Sequence, residues 1–142
     1  MKKTVILSIR GVQTYMEQEP ETIELVTEGS MEYKDGGWDL CYQESDLTGL
    51  EGVMTTFRLE SGVISLNRTG RLNSQMRFQE GITHESLYQM EFGALMLSVS
   101  ATKVSWLLDE NGGFVDLMYR LEIENSSAGM IEYHLDIRSK EQ

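Results

Sequence analysis

One phase of this chain carries mostly aliphatic residues, yet it also holds an arginine, a glutamate, a histidine and several tyrosines: Arg68, Glu44, His84, Tyr42, Tyr88 and Tyr119. These are the residues with which a binding site could be built. An arginine on an apolar face can grip a carboxylate or a phosphate through two parallel N–H bonds. The same Arg68 stands at a strand end beside Thr69-Gly70, where it could instead reach into water or pair with Glu44. The unperturbed pKa of a histidine side chain lies near neutrality, so His84 invites acid-base or metal chemistry, or it serves as an ordinary hydrogen-bonded histidine. No metal site is expected around it, because the only other histidine, His134, falls on the opposite phase of a distant segment.

The tyrosines, with Trp38 and Phe57, could form the walls of a partly apolar pocket that turns hydroxyls toward a ligand, or they could fill a core. Thr27, Tyr33, Thr55, Ser74, Ser86 and Tyr133 complete the polar members of this phase. A buried hydroxyl or charge must find a partner or water, so these groups bond one another or line a wet pocket. For nucleophilic catalysis, Ser74 and Cys41 offer residue type without a neighbouring base at a recognisable spacing, so no catalytic residue is assigned. The glycines are scattered one or two per turn, outside the strand-to-helix context that holds a phosphate, and no cofactor is expected.

What must position these residues is a set of about ten short segments that alternate apolar and polar side chains, with no helical period. Strands are predicted over 4–14, 21–34, 38–45, 53–60, 63–69, 74–79, 82–90, 94–108, 114–125 and 131–138. Asp35-Gly36-Gly37 suits the positive φ angles of a tight hairpin, and Gly29 is read as a bulge or bend. In the eighth segment Leu95, Leu97 and Val99 lead, and then the phase slips to Val104, Trp106 and Leu108, as a bulge would cause. Ser126 to Gly129 is read as the last turn. The segment holding His84 is the least regular, because Leu87 breaks its alternation.

Short turns imply antiparallel neighbours, and a meander of eight to ten twisted strands tends to close so that no edge is left unpaired. The expected fold is therefore all-β: an antiparallel up-and-down barrel forming a single domain over residues 1–142. A two-sheet sandwich is the alternative, although it usually needs longer crossing connections.

Bulk properties narrow the function classes. A net charge of −11, from 23 acidic and 12 basic residues, repels a nucleic-acid backbone, and Arg68, Arg71 and Arg77 form only a thin cluster. Cys41 is the sole cysteine, so this chain by itself forms no disulfide and no thiolate cluster. Met1-Lys2-Lys3 before Val5, Ile6 and Leu7 imitates a secretory leader, but Ser8 and Arg10 interrupt the apolar run. No stretch approaches the roughly 20 apolar residues of a membrane helix. A cytoplasmic protein without membrane contact is expected.

Several motifs occur together in order: Leu47-Thr48-Gly49-Leu50-Glu51-Gly52-Val53-Met54-Thr55-Thr56, Leu66-Asn67-Arg68-Thr69-Gly70, and Ser74-Gln75-Met76-Arg77-Phe78 with Gly81. Glu110-Asn111-Gly112-Gly113 and Tyr119-Arg120-Leu121 extend them. In this the chain resembles the YwiB-like family of small bacterial proteins over nearly its whole length. The resemblance implies a calycin-like, lipocalin-like barrel in the cytoplasm of a Gram-positive bacterium, and it implies no established activity. Where an aromatic residue, a proline and a glycine are expected, this chain has Tyr88-Gln89-Met90-Glu91-Phe92-Gly93, without the proline.

Together these readings lead to a barrel that binds a small, partly apolar or anionic molecule in its cavity or at its mouth. The candidate ligand-binding residues are Arg68, Tyr42, Glu44, His84, Tyr88 and Tyr119. The alternative is a protein–protein interaction module that works as a homodimer through outward apolar residues such as Met54, Leu87, Met96 and Met118. An enzyme ranks third; it would require Arg68, His84 and Glu44 to converge in one cleft.

Overall fold

The computed structural model describes residues 2–14, 18–45, 50–90, 93–124 and 126–140. Its ten strands are β1 (Lys2–Thr14), β2 (Glu21–Lys34), β3 (Gly37–Gln43), β4 (Val53–Glu60), β5 (Val63–Gly70), β6 (Asn73–Phe78), β7 (Thr83–Met90), β8 (Gly93–Asp109), β9 (Gly112–Ile123) and β10 (Ser126–Ser139). Each pairs with the next in antiparallel fashion, and β10 returns to β1, so the sheet closes as a barrel. The up-and-down topology follows from the short turns. Between β2 and β3, for instance, Asp35 and Gly36 both take positive φ (51° and 81°), which matches the twist of the flanking strands.

Alternation then sorts the side chains. Val5, Leu7, Met31, Leu40, Phe57, Leu59, Ile64, Leu66, Phe78, Val99, Leu117 and Leu135 point inward and are buried. Phe57 and Tyr133, from nearly opposite walls, meet edge to face at 6.3 Å in the middle of the barrel. One end is tied shut by Trp106, whose indole N–H donates to the Glu60 carbonyl at 2.8 Å across the interior. The other end is a mouth formed by the C-terminal ends of β1, β3, β5 and β7 and the N-terminal ends of β2, β4, β6 and β8.

The phase slip in β8 is a bulge: its register to β9 shifts between Ala101 and Lys103. One expectation needs correction, and at Gly29 one of two alternatives falls away. Ser126 to Gly129 belongs to β10, with a register shift between Ser127 and Gly129, and the reversal comes earlier, where Glu124 has φ 50°. Gly29 carries no bulge, since β1 and β2 pair without interruption through Val5↔Gly29. A side chain is barred there by proximity, because a Cβ would stand 2.5 Å from the Cys41 carbonyl oxygen. The turn at 46–49 and the corner at 91–92 lie outside the described residues, as do Glu17 and Asn125.

Candidate functional site

Register brings the candidate residues together. Tyr42 pairs with Thr55, Thr55 with Arg68, Arg68 with Ser74, and Ser74 with Tyr88. Directly opposed residues in an antiparallel ladder point to the same face with Cβ atoms about 5 Å apart. These five side chains therefore form one continuous inward row across β3 to β7, just below the mouth. Glu44 stands one step above Tyr42, and its amide bonds the Val53 carbonyl at 2.9 Å.

The row is polar and mostly buried. Thr55 donates to the Glu44 carboxylate at 2.5 Å, and Arg68 Nε lies 4.0 Å from the same oxygen, with only 11% of the Arg68 side chain exposed. That separation gives Coulomb attraction without a hydrogen bond from Nε. Burial disfavours the Arg68 charge, but Tyr133, which hydrogen-bonds it, together with Tyr119 and Glu44, outweighs that and holds its pKa above the ordinary value. Burial pushes the Tyr42 hydroxyl well up, and the charge of Glu44 adds to the effect, so Tyr42 remains a neutral donor to Glu44.

Two cavities meet at Arg68. The first lies at the mouth, holds about 210 Å³, and is lined by the apolar and aromatic Ile9, Leu25, Tyr42, Tyr88 and Tyr133 together with the charged Glu44 and Arg68. The second is a larger open cleft of about 640 Å³ against β5, β6 and β7. Its lining mixes the inward phase (Arg68, Ser74, His84, Ser86) with the outward phase (Asn67, Gln75, Arg77, Glu85, Leu87). Residues of both faces come to share one cavity at the rim of a barrel or where its wall is parted.

It is parted between β6 and β7. The two strands pair at Asn73↔Gln89 and Ser74↔Tyr88 and then not again until the bridge Gln79↔Ile82. An unbroken ladder would set Gln79 opposite Thr83, so the bridge is out of step by one residue. Meanwhile β7 is held to β8 along its whole length, and the corner before it is anchored by Gly81 N–H to the Ala101 carbonyl at 3.1 Å. Pulled toward β8 and slipped against β6, the strand leaves an opening over Gln75–Phe78 and Thr83–Leu87.

Among the described residues, four buried side-chain atoms lack a hydrogen-bond partner: Arg68 Nε, Ser74 Oγ, His84 Nε2 and Ser86 Oγ. All four belong to residues that line this cleft. Native proteins leave such groups orphaned rarely, so four around one cleft call for a partner.

Of the six residues singled out from the sequence, Arg68, Tyr42, Glu44 and Tyr88 line the mouth cavity, and Arg68 and His84 line the cleft. Arg68, Glu44 and His84 do not share one cavity. Tyr119 lines neither; it is buried in the core against Phe78 at 4.5 Å. Tyr33 shares the inward phase but sits at a strand end, exposed and edge-on to Trp38 at 5.2 Å. Ser74, Ser86 and Tyr133 belonged to the inward polar set without being singled out, and Arg77 escaped it by pointing outward. Of the outward apolar residues, Leu87 and Met96 pair with each other and are exposed, whereas Met118 pairs with Lys103, far along β8.

No metal-binding cluster of histidine, cysteine and carboxylates occurs among the described residues. Nor is any helix there long and apolar enough to cross a membrane.

Known proteins share this barrel. The crystal structure of ywiB protein from Bacillus subtilis superposes with a TM-score of 0.85 over 97% of this chain and 92% of that one, at 23% identity. The "Uncharacterized beta-barrel protein YwiB" of Bacillus subtilis (strain 168) is 29% identical over 103 residues, which is 72% of this chain and 71% of that protein. The profile described as "Domain of unknown function (DUF1934)" matches residues 7–137, and by that match the chain belongs to the DUF1934, YwiB-like family.

Proposed function

We propose that this protein is a calycin-like binding barrel for a small molecule that carries an anionic group on a partly apolar body. The observation that supports it best is Arg68: a buried guanidinium with its Nε unbonded, placed where two cavities meet. A buried charge normally satisfies all its donors, because leaving one bare costs roughly 1–3 kcal/mol. A carboxylate or phosphate arriving at Arg68 would satisfy that donor. The aromatic and aliphatic walls at the mouth, from Ile9, Leu25, Tyr42, Tyr88 and Tyr133, suit the apolar body.

Native mass spectrometry of protein purified gently from its host tests this. The expected result is a bound small molecule that is lost from an Arg68→Met variant of unchanged fold. Protein that carries no small molecule, or one that Arg68→Met retains, overturns the reading. The homodimer alternative has less support, since only Leu87 and Met96 of its four residues form a contiguous exposed pair.

A further inference from the structure

The parted seam points to a more specific chemistry. We infer that the opening between β6 and β7 is a lateral subsite for a phosphoryl group, which enters through the barrel wall and reaches Arg68 from the side. This rests on the reading above and names the anionic group it leaves open.

Shape comes first. The seam is pinched to normal strand spacing at both ends, by Ser74↔Tyr88 and by Gln79↔Ile82. About four residues separate those points, so the opening is about 13 Å long. An added peptide strand would need roughly twice the ordinary inter-strand gap of about 4.8 Å along its whole run, and the pinched ends deny it. A compact group fits where a strand does not.

The donor set distinguishes phosphate from carboxylate. Arg68 and Ser74 face each other directly across β5 and β6. Ser86 and His84 follow Tyr88 on the inward phase of β7, one and two steps from that row. Each offers a buried polar atom without a partner, and Ser74 is only 7% exposed. These groups come from three strands and approach from different directions, which the three tetrahedrally disposed non-bridging oxygens of a phosphate monoester meet more readily than the two coplanar oxygens of a carboxylate. Arg77 adds a second cation at the outer lip. The cleft is lined by these two arginines and one carboxylate, Glu85, while Glu44 balances Arg68 from behind, so the cleft is close to neutral on a protein of net charge −11 and repels an anion less than the average surface does.

Leu87 on the lip and its neighbour Met96 are 44% and 41% exposed, and they offer an apolar shelf to whatever the phosphate esterifies. A phosphate monoester of a partly apolar alcohol therefore matches both the cleft and the mouth.

Isothermal titration calorimetry with inorganic phosphate, phenyl phosphate and sodium benzoate tests this on the wild type, Ser74→Ala/Ser86→Ala, Arg77→Gln and Arg68→Met. Phenyl phosphate is expected to bind more tightly than either other probe. The double serine variant should weaken it about tenfold, as loss of hydrogen bonds to a charged group does. Arg77→Gln, an exposed change that leaves the fold intact, should weaken it a fewfold. Both serines are unpartnered, so the double variant should melt no lower than the wild type. Benzoate binding as tightly as phenyl phosphate, dependent on Arg68 but indifferent to the serines and Arg77, overturns the phosphoryl subsite and leaves the mouth reading standing. Binding of none of the three overturns both.

Discussion

Arg68 and Glu44 give the sharpest test of how the site is held together. Their charged atoms lie 4.0 Å apart, and both side chains are almost wholly buried. At that separation two unit charges attract by about 4 kcal/mol for an effective dielectric constant of about 20. Desolvation of both groups offsets much of this, but breaking the pair strands a buried charge at about 3 kcal/mol. Arg68→Met leaves Glu44 with Thr55 and Tyr42 but no cation. Glu44→Gln keeps the acceptor for Thr55 and strands Arg68. Each single variant is therefore expected to lose about 3 kcal/mol, and the double variant to lose less than their sum by about 2 kcal/mol. Urea denaturation reads this directly, with midpoints shifting at constant m-value. If the two losses add to within about 0.5 kcal/mol, the charges are uncoupled and the electrostatic account of the site fails.

Other predictions follow from single contacts. Glu44→Gln removes the carboxylate that competes for Arg68, so phenyl phosphate should bind a fewfold more tightly by calorimetry despite the loss of stability. His134 is held by Asp116 at 2.5 Å, and this hydrogen bond, against the opposing effect of burial and with help from the charges of Asp136 and Asp116, raises its pKa above the ordinary value. A folded-state pKa above the unfolded one stabilises fully below the unfolded value, about 6.5, and the gain disappears as pH rises through the folded value. Wild type should thus lose its advantage over His134→Gln as pH rises above about 6.5, by under about 1 kcal/mol because the side chain is 44% exposed; a difference that is flat or grows with pH contradicts this. Gly29→Ala drives a Cβ against the Cys41 carbonyl and Leu7, and should cost about 1–3 kcal/mol by thermal or urea denaturation. Trp106→Phe removes the indole bond to Glu60 and should cost about 1 kcal/mol or more, read the same way.

How much of this the sequence discloses depends on what local pattern can encode. Alternation disclosed the strands and even the β8 bulge, because Leu95–Val99 and Val104–Leu108 fall on opposite parities. It also placed Tyr42, Glu44, Arg68 and Tyr88 on the inward phase, where register gathers them. It misjudged the start of β10, since the Ser127/Gly129 register shift keeps a glycine-containing, turn-like segment inside the ladder. Parity alone cannot tell a pocket wall from a packed core, so Tyr119 looked like Tyr88. The seam stayed hidden because it arises from a one-residue disagreement between two pairings distant along the chain. Its only local trace is β7, whose inward positions His84, Ser86 and Tyr88 are all polar-capable, beside an outward Leu87.

The unbonded Nε of Arg68 is the group expected to receive an anion. Its own Nε–H resonance in a 1H–15N correlation spectrum, followed during a phenyl phosphate titration, reports on that atom directly. The structure predicts a saturable shift of the Arg68 Nε–H signal together with the amides of Ser74 and Ser86. An Arg68 Nε–H signal that stays fixed, while shifts scatter over surface arginines such as Arg10 and Arg138, would contradict it.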